Sequence, residues 1–172
     1  MVIWLIGLAG SGKTTIGRQL YAALKTRTNS TVFLDGDQFR AIMGNDLGHS
    51  FDDRRRNGER MLQLCAFLDA QNIDVVCCIL SIFPEHRLVC RQTFSCYAEI
   101  YIDVSMEELI RRDQKGLYTG ALAGRVKNVI GIDLPFVPPE NPDLIIDNSK
   151  ARNDFSSTVN DILSVIERTK RT

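Results

Sequence analysis

Neither sign of charge is in excess in this sequence. Its 21 lysines and arginines balance 21 aspartates and glutamates. That argues against a general nucleic-acid binder, whose footprint is a basic surplus, and leaves room for a local basic pocket for a small anion. No apolar run approaches the roughly 20 residues that span a bilayer, so no membrane partner is expected. The apolar stretch from Met1 to Ile6 is too short for a secretory leader and runs straight into a glycine-rich segment. Paired C-x-x-C motifs are absent. The five cysteines are an odd number. Cys65, Cys77 and Cys78 lie in apolar runs, and all five read as reduced core or near-surface thiols of a cytoplasmic protein, with a redox pair such as Cys90 and Cys96 as the alternative. There is no internal repeat. At 172 residues the chain is expected to form one domain, 1–172, with a core large enough to need no disulfide.

What the chain does contain is Gly7-Leu-Ala-Gly10-Ser11-Gly12-Lys13-Thr14, the G-x-x-x-x-G-K-[ST] phosphate loop. Glycines let the backbone curl so that several N–H groups face one anion. Lys13 is placed to reach the β- and γ-phosphates of ATP, and the Thr14 hydroxyl to ligate Mg²⁺. Val2 to Ile6 before it is apolar and β-prone, as a buried parallel strand should be. After it, Ile16, Leu20, Ala23 and Leu24 recur at helical spacing. The loop therefore joins a strand to a helix N-terminus, whose dipole also favours phosphate.

Strands and helices alternate along the rest of the chain, which predicts an α/β fold with a mostly parallel central sheet covered on both faces, three layers in all. Thr31 to Leu34, Asp74 to Leu80, Glu99 to Asp103 and Asp143 to Asp147 read as further strands. A short helix carries Phe39 and Arg40, and Gly44 to Ser50 is a loop. A long helix covers Asp52 to Gln71 with an apolar stripe of Met61, Leu64, Cys65 and Leu68. Another helix follows Pro84 as far as Phe94. Ser105 is positioned to cap the next, with Glu108 as its capping-box partner. Phe155 to Ile166 gives a closing amphipathic helix. Asp113 to Pro142 lacks clear periodicity and is too long for an ordinary connection, which marks a functional loop or lid.

Ligands of open α/β sheets bind outside the carboxyl ends of the strands. The phosphate loop, Asp35, Asp37, Ser81 and Asp103 all fall there. Phosphoryl transfer needs positioning, charge neutralisation and an acceptor for the hydroxyl proton. Lys13 and Mg²⁺ supply the charge, and Asp37 is the candidate base. Asp35 is a candidate for the acceptor side or for a metal-bound water, and Asp103 reads equally as a metal partner or as structural. Arg40, Arg54 and Asn57 are expected to face the crevice and bind an anionic acceptor by paired hydrogen bonds. Arg55 and Arg56 are expected to face solvent by helical spacing.

Several segments in one order, GLAGSGKTT (7–15), LDGDQFR (34–40), NDLGHSFDDRRRN (45–57), RDQKGLY (112–118) and VKNVIGIDLPF (126–136), resemble the adenylyl-sulfate kinase family over nearly the whole chain. The resemblance implies a P-loop nucleoside-triphosphate kinase with a lid at about 111–142. Such a kinase moves the γ-phosphate of ATP to the ribose 3′-hydroxyl of adenosine 5′-phosphosulfate or a related nucleotide. By the same resemblance Asp37 matches the family's base, and Gly7, Gly10, Ser11, Gly12, Lys13, Thr14 and Thr15 match its donor loop. Arg40, Arg54 and Asn57 match residues on the acceptor's anionic groups and ribose, Ser81 a serine near the acceptor phosphate, and Lys127 an acceptor-side lysine of the lid. Arg112 and Lys115 to Tyr118 match the lid over the donor. A homodimer is a family expectation.

The departures bear on the acceptor base. Family members read D-L-G-F where this chain has Asp46-Leu-Gly-His49, and K-x-F-T-G where it has Lys127-Asn-Val129-Ile-Gly131. The two phenylalanines sandwich the acceptor's adenine, and stacking of this kind contributes about 1–3 kcal/mol per base. His49 retains a ring and Val129 does not. The family's S-P-Y-R is here Ser81-Ile-Phe-Pro84, with Arg87 nearby. A branch with this character acts on cytidine 5′-diphosphoramidate in capsule phosphoramidate synthesis, and a smaller pyrimidine suits a remodelled pocket. The rivals are another small-molecule P-loop kinase, such as a sugar kinase, and a non-catalytic nucleotide-binding module. The DGD and DLG-x-S segments oppose the first; intact Lys13, Thr14 and Asp37 oppose the second.

Overall fold

Alternate residues of the central strands feed two different cores, and that is what makes three layers. In the computed structural model, which describes residues 1–113, 115–150 and 153–170, β1 (Val2–Ile6) is buried at every position. Ile3 and Leu5 pack with Ile16, Leu20 and Leu24 of α1 (Lys13–Lys25). Val2, Trp4 and Ile6 point the other way. They pack with Met61 and Cys65, which belong to α3 (Phe51–Asp69), and with Cys90 of α4 (Pro84–Thr93). A strand buried on both faces needs a continuous apolar run, as the sequence shows there.

The other strands are β2 (Thr31–Asp35), β3 (Asp74–Ile79), β4 (Tyr97–Asp103) and β5 (Leu144–Asp147). All pair in parallel in the order β2-β3-β1-β4-β5. β4 begins at Tyr97, two positions ahead of the Glu99 expected from sequence. The extra pair is explained by Val2 lying opposite Tyr97 in the ladder. The last helix, α7 (Ser156–Thr169), joins α1 on the first face. The chain leaves adjacent strands β1 and β3 toward opposite faces, α1 on one and α4 on the other. That opens a crevice at their carboxyl ends.

The long segment after β4 is more structured than its sequence predicts. It begins with α5 (Met106–Arg112), so Arg111 and Arg112 are the last turn of a helix, and it contains α6 (Leu117–Leu122). Six residues are too few to display a helical period. Position 114, in the RDQKGLY segment, lies outside the described residues. A third apolar cluster of Leu8, Ile82, Phe83, Leu109, Tyr118 and Val129 packs this segment over the crevice, and Tyr118 donates its hydroxyl proton to the carbonyl of Ala9 at 2.7 Å. The capping box forms by half. The Ser105 hydroxyl accepts from the Glu108 N–H at 3.3 Å, but the Glu108 carboxylate is taken by Arg111 and Arg112, both at 2.6 Å.

Two alternatives about side chains are decided by packing. Cys90 and Cys96 are both free thiols on opposite faces of the sheet, Cys90 in the α3–α4 core and Cys96 against the α1–α7 core. Burial pushes the Cys90 thiol up to about 12, so it is not a nucleophile for disulfide exchange at neutral pH. Arg55 faces solvent in part, its side chain 38% exposed. Its guanidinium lies 4.3 Å from the centroid of Phe83 and pairs with Glu85. Arg56 is exposed. Among the described residues no helix is long and apolar enough to cross a membrane.

Candidate active site

The carboxyl ends of β1, β2 and β3 and the segment after α5 enclose one cleft of about 880 Å³. Its floor is the phosphate loop. Gly10 and Gly12 hold φ values of 77° and 98°, which side chains disfavour and which turn consecutive N–H groups toward the cleft. Gly12 also sits against Asn148, where an added Cβ would lie 2.6 Å from the carboxamide nitrogen. That carboxamide donates to the carbonyl of Ser11 at 2.8 Å and braces the loop from behind. Gly7 and Ser11 lie behind the cleft wall, while Gly10, Gly12, Lys13, Thr14 and Thr15 line it. The buried Ser11 hydroxyl has no hydrogen-bond partner among the described residues.

Lys13 opens α1 and folds back over the loop. Its ammonium donates to the carbonyls of Gly7 at 2.7 Å and Leu8 at 2.8 Å. Burial pulls its pKa down to about 8, against the opposing pull of Cys78, Asp35 and Asp37. The Thr14 hydroxyl donates to the Asp35 carboxylate at 2.7 Å. The other Asp35 oxygen caps the helix α2 (Gly36–Ile42) by accepting from the N–H groups of Asp37 and Gln38. Asp35 therefore stands on the Thr14 side of the cleft. A hydroxyl and a carboxylate in contact, both oxygen donors, fit Mg²⁺, and the ring of loop N–H groups with Lys13 fits a triphosphate.

Across from the loop stands Asp37, its side chain 81% exposed. Its carboxylate is approached by Lys115 of the overlying segment at 3.5 Å. Asn57, although only 6% exposed, makes no side-chain hydrogen bond among the described residues. It lines the cleft beside Ser81. Ser81 has φ of 50°, and its hydroxyl accepts from the Trp4 indole at 3.0 Å, which leaves its own proton free to donate. Arg87, the arginine near the altered S-P-Y-R segment, is buried and donates to the carbonyls of Ser81, Val137 and Pro138. It is a strut beneath the site.

Arg40, Arg54, His49, Lys127 and Val129 line the remaining wall. Arg40 and Arg54 are both bonded to backbone carbonyls of the surrounding loops. Val129 is 2% exposed and belongs to the apolar cluster of the overlying segment. Burial lowers the His49 pKa, helped by Arg54 and Arg40, against Asp37 and Asp53. At pH 7 the ring is neutral, because its ordinary value of 6.5 is already below that pH. Arg112 lines the same cleft. Its guanidinium binds Glu108 at 2.6 Å and the carbonyl of Asn148 at 2.7 Å. Asp103 lies outside this cleft, in a shallower groove, and accepts from the Tyr101 hydroxyl at 2.9 Å.

Lys115, Tyr118 and Asn148 were not among the residues singled out individually from sequence. Lys115 and Tyr118 sit within the KGLY segment, which did mark them. Asn148 follows the last strand with no local signature.

The adenylylsulphate kinase family model matches residues 1–147. A cytidine diphosphoramidate kinase of Campylobacter jejuni is 45% identical over 161 residues, 92% of this chain and 91% of that protein. An adenylyl-sulfate kinase of Marinobacter nauticus is 37% identical, covering 89% of this chain and 78% of its own. The structure of the Mycobacterium tuberculosis APS kinase CysC in complex with AMPPNP and APS superposes with a TM-score of 0.83. It is 29% identical and covers 96% of both chains.

Proposed function

This chain belongs to the adenylylsulphate kinase family of ATP-dependent nucleotide kinases, and from that premise we propose that it phosphorylates the ribose 3′-hydroxyl of a cytidine nucleotide with an anionic 5′ group, cytidine 5′-diphosphoramidate being the candidate. The observation that carries the choice of base is the pair His49 and Val129 on the acceptor wall of the cleft. One neutral imidazole and one buried aliphatic side chain replace the two rings that hold adenine in the family. The Campylobacter relative supports the same reading by its name and its 45% identity.

The residues divide the work. Lys13 and the loop N–H groups hold the triphosphate, and Thr14 with Asp35 would hold Mg²⁺, which supplies charge neutralisation of the transferring phosphoryl group. Asp37, across the cleft, accepts the proton of the 3′-hydroxyl. Asn57 and Ser81 donate to the acceptor's ribose and 5′ group, with the positive charge of Arg40, Arg54 and Lys127 around it. Arg112 flanks the donor nucleoside. The working unit is one kinase domain over 1–172, cytoplasmic, with the segment at about 111–142 as its lid, and a homodimer is the assembly to look for.

A panel of acceptors decides the substrate. With ATP and Mg²⁺, ADP release is expected to be fastest with cytidine 5′-diphosphoramidate and at least about tenfold slower with adenosine 5′-phosphosulfate, the loss of one stacking ring being worth about that much. Preference for the adenosine compound moves the assignment to it. ADP release with neither, despite ATP binding, removes the kinase reading in favour of a nucleotide-binding module.

Donor binding carries its own pH signature. Free Lys13 titrates at about 8, and phosphate oxygens beside it hold the ammonium charged. Binding ATP above pH 8 must therefore take up a proton. ATP affinity is expected to be level from pH 7 to 8 and then to fall by up to about tenfold per pH unit. Calorimetry in buffers of different ionisation enthalpy reads the uptake directly; level affinity to pH 9.5 with no uptake contradicts it.

A further inference from the structure

Arg40 and Arg54 bind loop carbonyls in different ways. Arg40 holds one loop, donating to the carbonyls of Leu47 at 3.2 Å and Gly48 at 2.9 Å. Arg54 spans two. Its Nε donates to the carbonyl of His49 at 3.0 Å and its Nη2 to the carbonyl of Asn128 at 2.9 Å. One loop carries His49 and the other carries Val129, so a single guanidinium touches the backbone of both acceptor walls. The second loop is fixed from its other end as well. The Asp133 carboxylate accepts from the N–H groups of Asn128, at 2.6 Å, and Val129. Between these two anchors Asn128 holds φ of 63°, a left-handed conformation that persists in a non-glycine residue when its surroundings hold it.

We infer that Arg54 is a positioning residue for acceptor specificity: its rigid fork sets the distance between the His49 and Val129 walls and so selects the base that fits between them. A guanidinium presents its N–H groups in fixed directions, so bonding two carbonyls at once fixes their separation. An ammonium of equal charge has no such fork. The charge of Arg54 still attracts the acceptor's anionic end, and Arg40 beside it shares that task. The spacing of the walls is the part Arg40 cannot supply, since its two bonds go to neighbouring residues of one loop.

The inference rests on reading His49 and Val129 as the base walls, and the test separates the two. In the full chain, Arg54→Lys keeps the charge and loses the fork. Backbone hydrogen exchange in both 45–50 and 127–134 is expected to quicken by about tenfold, as for loss of a charge-assisted hydrogen bond. The ratio of kcat/KM for cytidine over adenosine acceptors is expected to shrink by a similar factor while KM for ATP holds. If both acceptors lose the same factor and exchange is unchanged, Arg54 is an anion ligand alone and the inference falls. Should Arg54→Lys fail to fold, Asp133→Asn loosens the Asn128 anchor while keeping the Arg54 fork; it also removes a carboxylate charge near that guanidinium, a change in charge that acts alike on both acceptors. It is expected to narrow the base preference too, and an unchanged preference overturns the inference. The exchange measurement needs no acceptor, so it still decides the clasp if neither nucleotide proves to be a substrate.

Discussion

Asp37→Asn is expected to lower kcat by about 10²–10⁴-fold, the usual range for removing a general base, with KM for ATP changed by no more than about threefold. The geometry separates the two effects. The carboxylate that contacts the Thr14 hydroxyl belongs to Asp35, at 2.7 Å, whereas the Asp37 side chain, 81% exposed on the cleft wall, is approached by Lys115 of the overlying segment at 3.5 Å. Asparagine matches the shape of aspartate and cannot take a proton. An exposed pair such as Asp37–Lys115 adds little stability, so the variant should melt with the wild type. Asp35→Asn provides the contrast, because it touches both the Thr14 contact and the α2 cap; there KM for ATP and stability should both suffer. Turnover of Asp37→Asn within a few fold of wild type would remove the proton-accepting role from Asp37. Loss of ATP affinity in parallel with turnover would instead assign it to the donor side.

The parts of this site that were legible in the sequence are those whose chemistry is local. The phosphate loop is a run of adjacent residues whose glycines, lysine and threonine each have one geometric reason to be there. The strands feeding it are continuous apolar runs because both faces are covered. Asp35 and Asp37 could be placed at a strand end, but not told apart in direction. That depends on Asp35 capping α2 with one oxygen and reaching Thr14 with the other. The arginines show the limit more sharply. Helical spacing put Arg54 toward the crevice and Arg55 toward solvent. What each guanidinium meets is decided by segments far along the chain, Asn128 for Arg54 and Phe83 with Glu85 for Arg55. No period within the helix encodes those partners. The same holds for Asn148, which braces the loop at Ser11 across 137 positions of sequence, and for α6, whose six residues are ordered by packing in the cluster over the cleft.

On the proposed reading, the acceptor wall differs in kind from the donor floor. On the floor, backbone N–H groups and Lys13 would converge on one anion, and their arrangement follows from the loop's own sequence. On the wall, His49 and Val129 are carried by two loops that Arg54 joins, through the carbonyls of His49 and Asn128. A change of base can therefore arise from wall residues or from the clasp between them, while the phosphoryl-transfer groups stay in place.

Lys13→Ala is expected to cut kcat/KM for ATP by about 10²–10³-fold or more, the scale of losing one charged donor aimed at the developing charge, and to do so without lowering the melting temperature of the free protein. The second half of that expectation follows from the pKa. Folding takes the Lys13 ammonium from its ordinary 10.5 down to about 8 through burial, so at pH 7 the folded state carries a charge that it disfavours relative to the unfolded chain. The linkage sign is that of a depressed pKa: stability improves as pH rises between about 8 and 10.5, where the unfolded chain binds more protons than the folded one. Alanine removes that cost, which is full below about pH 8 and gone by about pH 10.5, and loses two hydrogen bonds to the carbonyls of Gly7 and Leu8, which water from the open cleft can replace. A Tm equal to or above that of wild type, together with collapsed turnover, is the pattern of a residue kept for its ligand at the expense of the fold. With saturating ATP the order should reverse, since wild type gains binding stabilisation that the variant cannot. A marked fall in Tm of the ligand-free variant would show instead that Lys13 holds the phosphate loop together, and the pH profile of ATP binding would then have to be assigned to another group.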